Sequence, residues 1–159
     1  MTLTLHLGVI DQPYRTAITA ASRRRRKKVS AATKTTGDVA VYLEDKYHVM
    51  EHFFELHKDG IAKSLENSLA GSLETMMMGG PATLSFGTAE SEIDASFKNM
   101  LSNKELDRLG YPGIPTMAAL RGVNHRMLHP YARRPSRPSF IDTGLFQASF
   151  KSWIDGETP

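Results

Sequence analysis

Apolar and polar residues alternate at the two ends of the chain and follow helical spacing between them. Leu3-Thr4-Leu5-His6-Leu7-Gly8-Val9-Ile10 alternates before Asp11-Gln12-Pro13-Tyr14, which predicts a short strand ended by a turn. From Arg15 to Thr36 no apolar period is sustained, and this Thr-, Ser-, Ala-, Arg- and Lys-rich stretch reads as an extended arm that a partner must order. Asp38, after Thr35-Thr36-Gly37, is placed as an N-cap. Leu43, Tyr47, Met50 and Phe54 then recur at helical spacing over roughly 38 to 58. The pattern pauses at Asp59-Gly60. Ile61, Leu65, Leu69, Leu73 and Met76 carry a second stripe until Gly79-Gly80-Pro81, giving either an αα-hairpin or one long bent helix.

Ser91-Glu92-Ile93, with Phe97, Met100 and Leu101, predicts a third helix after a loop at 79 to 90. Tyr111-Pro112-Gly113-Ile114-Pro115-Thr116 is a rigid turn whose Thr116 caps a short helix from Met117 to Arg121, and a Pro- and Arg-rich loop runs from His129 to Pro138. After Asp142-Thr143-Gly144, the alternation of Phe146, Ala148 and Phe150 with Gln147, Ser149 and Lys151 reads as a turn feeding a half-buried strand. The expected fold class is α+β. It is a helix-rich single domain with a long amphipathic helix pair, a small β element involving the C-terminal strand, and an extended basic N-terminal arm. The division expected is 1 to 36 for the strand and arm, and 37 to 159 for the core domain.

At 159 residues, 40% apolar and 23% charged, the chain can bury a modest core. It has no cysteine, which excludes a disulfide framework and thiol chemistry, and no apolar run approaches the ~20 residues of a membrane helix. The expectation is a soluble protein of cytoplasmic origin. A net charge of +3 hides a strong segregation: residues 15 to 34 carry eight basic side chains and no acid, and 121 to 137 carry five more with no acid. The remainder is acidic, so basic arms hang on an acidic body, a polarity suited to an acidic neighbour or to nucleic acid.

Candidate chemistry is sparse. His48-Val49-Met50-Glu51-His52 matches the H-x-x-E-H arrangement that can hold zinc with a glutamate as base, but two ligands do not make a site, and the histidines are expected to flank the core stripe at the surface. His57 is expected to be solvated near a helix C-terminus. Arg23-Arg24-Arg25-Arg26-Lys27-Lys28 can contact phosphates or an acidic protein surface, with no interleaved aromatic residue for base stacking. The glycines match no nucleotide-binding spacing, no serine sits in a G-x-S-x-G elbow, and the acids Glu44, Asp45, Glu51 and Glu55 fall on the expected wet face. Neither a cofactor nor a metal is expected.

Arg137-Pro138-Ser139-Phe140-Ile141-Asp142-Thr143-Gly144-Leu145-Phe146-Gln147-Ala148-Ser149-Phe150 resembles a signature of small virion morphogenesis proteins of long-tailed phages, the tail-completion or head-tail joining group. Leu7 to Tyr14, Thr35 to Ala40 and Gly122-Val123-Asn124-His125-Arg126 resemble segments of the same phage structural proteins. The resemblance implies a non-enzymatic subunit of a homo-oligomeric ring in the virion neck, assembled in the host cytoplasm. Such a ring lies between the portal or adaptor side of the head and the tail, with DNA passing through its lumen. Contacts with neighbouring subunits or rings are then expected at Arg23, Arg24, Arg25, Arg26, Lys27 and Lys28 of the arm, at Arg133, Arg134 and Arg137, and at Thr143, Gly144, Phe146, Phe150 and Trp153. Two other readings stand beside it. A nucleic-acid-binding module using the basic arm predicts steeply salt-dependent DNA affinity, and a metal-dependent hydrolase on His48, Glu51 and His52 predicts stoichiometric zinc.

Overall fold

The computed structural model describes residues 2–14, 34–123, 131, 132 and 134–157. Among these, strand β1 (Thr2–Val9) is followed by helices α1 (Thr36–Tyr47), α2 (Val49–Met77) and α3 (Gly87–Ser102). Three short helices, α4 (Glu105–Arg108), α5 (Met117–Leu120) and α6 (Leu145–Ser149), lead to strand β2 (Phe150–Glu157). The described residues are 56% helical with a two-stranded antiparallel sheet, a helix-rich α+β fold. β1 pairs with β2 along its whole length, from Thr2 opposite Glu157 to Val9 opposite Phe150, so the sheet joins the first and last described elements.

The entry to α1 is fixed by short polar side chains. Thr35, in extended conformation, is the N-cap; its hydroxyl accepts from Asp38 N at 3.2 Å, and the Asp38 carboxylate accepts from Thr35 N at 3.0 Å. Asp38 therefore closes a capping box at the third helical position and is not itself the cap. Thr36, fully buried, donates its hydroxyl proton to Ile10 O (2.7 Å) and accepts from Gln12 N (2.8 Å). Asp11 accepts from Gly37 N at 2.9 Å, and hydrogen bonds, first from Thr35 and then from Gly37, hold its carboxyl below the usual range. Thr36 thus begins the helix and ties it to the end of β1. Of the arm expected from Arg15 to Thr36, residues 15–33 lie outside the described residues, and Thr36 belongs to α1 instead.

The long helical region breaks at His48, not at Gly60. His48 adopts left-handed backbone angles (φ 49°, ψ 46°), ending α1 and starting α2, which then runs 29 residues through Gly60 without interruption. The Glu44 carboxylate, from the last turn of α1, accepts from Met50 N (2.7 Å) and Glu51 N (3.0 Å) and so caps α2. This break resets the helical phase. The buried positions of α2 are Val49, Phe53, Ile61 and Ser72, whereas Phe54, Leu69 and Leu73, expected inside, are exposed.

Around Phe53 the core assembles from α2, α3, α6 and β2. On α3, which starts at Gly87 and not after residue 90, Ala89, Ile93, Phe97, Met100 and Leu101 form one buried face. The rings of Phe97 and Phe150 stack at 3.7 Å and 11°, and Phe53 and Phe146 meet Phe97 edge-on at 5.2 and 6.1 Å. Burial of such a side chain makes truncation to alanine cost about 3–5 kcal/mol. Residues 145–149, expected as strand, form α6 instead, because Gly144 (φ 76°) turns the chain into a helical start; the strand begins at Phe150.

Glu44→Ala, which leaves two N–H groups at the start of α2 without their carboxylate, is expected to destabilise the fold by about 1–2 kcal/mol in urea denaturation.

Candidate functional site

The Thr143-Gly144 turn borders a cleft of about 340 Å³ between α1 and the 137–144 segment, lined by Tyr14, Val39, Tyr42, Tyr47, Phe140 and Thr143. Arg137 lies in its wall. Its guanidinium donates to Val123 O at 3.2 Å and to Ile141 O, and stands 3.7 Å from the Asp142 carboxylate. Expected at a subunit contact, Arg137 here staples two stretches of its own chain, and its Nε has no hydrogen-bond partner among the described residues.

The other expected contact residues divide sharply. Arg23, Arg24, Arg25, Arg26, Lys27, Lys28 and Arg133 lie outside the described residues. Arg134 is half-buried, and its Cβ and carbonyl press on Gly122, whose positive φ of 62° and lack of Cβ admit them. Phe146 and Phe150 are buried in the chain's own core. Trp153 remains 42% exposed on the outer face of the sheet, stacked on His6 at 5.2 Å and 11°. It lies flat over Gly8, where an added Cβ would stand 3.0 Å from two ring carbons.

The H-x-x-E-H residues do not converge as two imidazoles about one point. His48 is exposed and pairs through Nδ1 with Glu51 at 2.9 Å, while His52 stacks on Tyr111 at 3.7 Å with its Nδ1 left without a hydrogen bond among the described residues. Among the described residues, the set that does bring possible ligand atoms within 4.8 Å of one another is Glu44, His48 and Glu51. Both Glu44 oxygens already accept helix N–H groups, so the cluster has a structural role in capping α2.

His57 has partners that its sequence position did not reveal. Its Nδ1 lies 3.2 Å from Ser96 Oγ and its Nε2 lies 3.2 Å from Glu105, with the ring 5.1 Å from that of Phe53. A serine, an imidazole and a carboxylate in line are the parts of an acyl-transfer relay. Here, however, Ser96 sits inside α3, where neighbouring backbone N–H groups are committed to the helix and cannot stabilise an oxyanion. The row ties α2, α3 and α4 together. His57 continues the phase of Val49, Phe53 and Ile61, and that phase becomes readable only once the break is placed at His48.

A heavily bonded acid is Asp94 on α3, only 4% exposed. It accepts from Ser152 N (2.8 Å), Ser152 Oγ (3.0 Å) and Lys151 Nζ (2.7 Å), and Glu90 beside it accepts from Ile154 N (3.2 Å). Lys151 is half exposed, and the hydrogen bond it donates to Asp94, followed by the charge of that carboxylate, raises the ammonium pKa above the ordinary value. A raised lysine pKa contributes stability that is complete below the unfolded-state value and is lost only as pH rises through the folded one, so this contribution is intact at neutral pH.

No family model, curated protein or solved structure matches the chain.

Asp94→Ala is expected to cost about 2–3 kcal/mol, because it strands the buried Ser152 N–H, while the Ser152 hydroxyl keeps Glu90 O as its acceptor. Lys151→Met is expected to cost under about 1 kcal/mol, since its partner keeps two other donors and the ammonium is largely in water. Chemical denaturation of the two variants checks the order.

Proposed function

We propose that the chain is a structural subunit of a tailed-phage virion neck. In this reading it forms a homo-oligomeric ring that joins the portal or adaptor side of the head to the tail around the DNA channel. The observation that carries the reading is the inverted second half of α2. Here Ser64 donates to Glu92 of α3 and the buried Ser72 hydroxyl accepts from Ser85 N at 3.1 Å, while Leu69, Leu73 and Met77 are exposed. Met77 is 89% and Met78 82% exposed at the helix end. An apolar stripe turned away from its own core is surface built for another subunit.

Three further features support the same reading. The sequence signature around Thr143-Gly144 resembles that of head-tail joining proteins. The segments 15 to 34 and 121 to 137 concentrate positive charge suited to acidic neighbours or to DNA phosphates in a lumen. No helix among the described residues is long and apolar enough to cross a membrane. A ring of identical subunits needs a heterologous contact that closes on itself, with the α2 stripe meeting a different surface of the next copy.

Purified protein is expected to assemble into rings visible by electron microscopy, and Leu73→Asp is expected to abolish them while leaving the helical circular dichroism unchanged. A wild-type protein that stays strictly monomeric overturns the proposal. Deleting residues 15–34 is expected to block the joining of heads to tails in an assembly reaction; normal joining removes the arm as the clasp.

A further inference from the structure

We propose that the open edge of β1 pairs antiparallel with β1 of a second copy, fusing two two-stranded sheets into one of four strands. The inference rests on the hydrogen-bond parity of the sheet and not on the neck reading. Ile10 N donates to Ser149 O at 2.7 Å, while Ser152 N and Ile154 N are turned outward to Asp94 and Glu90. With Leu7 opposite Ser152 and Leu5 opposite Ile154, the backbone groups of Leu3, Leu5 and Leu7 must also point away from the partner strand. None of them meets a hydrogen-bond partner among the described residues, and no residue from Leu3 to Val9 is buried.

The two edges of the sheet are therefore unlike. On β2, two outward N–H groups are closed by carboxylates from α3. On β1, a row of backbone donors and acceptors stands open among the described residues, with no lysine, arginine, acid or proline among residues 2–9 to block it. A closed β2 edge excludes β1-to-β2 pairing between copies over residues 152–154, so the available strand of this chain is β1 itself. Self-pairing is electrostatically free of cost: β1 carries no formal charge besides that of a protonated His6, whereas β2 carries Lys151, Asp155 and Glu157. It also extends the row Leu5, Leu7 and Val9, which packs against the core, across a two-fold axis, and enlarges a sheet that is marginal at two strands.

The test uses the full chain. Leu5→Pro removes an outward N–H and leaves the β1–β2 ladder its donors. With circular dichroism retained, its mass by sedimentation is expected to fall to half that of the wild type, whether the wild type is a dimer or a pair of rings. Leu5→Ala, which keeps the N–H, is expected to retain the wild-type mass. An unchanged mass for Leu5→Pro, or halving in both variants, overturns the pairing. If Leu5→Pro does not fold, a spin label on Thr4→Cys in the otherwise cysteine-free chain decides: strong dipolar coupling between two copies sustains the proposal, and its absence sinks it. Rings that form but show neither halving nor coupling reject this contact alone, while paired β1 edges without any ring reject the neck reading alone.

Discussion

Asp94 is the joint on which the rest of the molecule hangs. Its carboxylate reaches from the middle of α3 to the edge of β2, and everything attached to β2 is thereby attached to the helical core: β1 through the strand ladder, and α1 through Thr36 and Asp11 at the end of β1. A buried carboxylate is a poor source of net stability because of its desolvation, but a good source of register. Three donors converge on this one, two of them from Ser152, so β2 cannot slide by a residue without leaving the acid unpaired. The stack of Phe97 on Phe150 repeats the same constraint in apolar terms between the same two elements.

The coarse fold was legible in the alternation of β1, in the stripe of α3, and in the glycine of the Thr143-Gly144 turn. What was not legible follows from two local events. Gly60 looks like the natural place for a long helix to break, yet in a helix interior glycine costs only about 1 kcal/mol, which packing outweighs. The break falls at His48 because Glu44 can fold back over the next two N–H groups and cap the new helix, an arrangement that no spacing rule encodes. Once the phase is reset there, Leu69 and Leu73 move outward and His57 moves in. Phe146 and Phe150 likewise read as one alternating strand, although a five-residue helix ending at a strand start buries both rings on the same core.

The functional residues divide along the same line. Aromatic side chains of the C-terminal signature were expected at contacts between subunits, and Phe146 and Phe150 are spent instead on the interior, leaving Trp153 outside. The surfaces proposed for assembly, the outer stripe of α2 and the edge of β1, are defined by what the described residues leave uncovered. Neither can be recognised until the core is known, because a leucine in sequence carries no sign of which way it faces. The basic clusters differ in this respect, since their charge is plain from composition alone.

The sheet also carries a kinetic consequence. Its two strands stand more than 140 residues apart in the chain, and closing a loop of that length costs on the order of 4 kcal/mol of chain entropy before any contact repays it. The helices, whose contacts are local, can form without that cost, so sheet closure belongs to the end of folding. The chain's single tryptophan lies on that sheet, over Gly8 and His6 of the opposite strand. Its fluorescence therefore reports the last event of folding, while circular dichroism follows the helices that precede it.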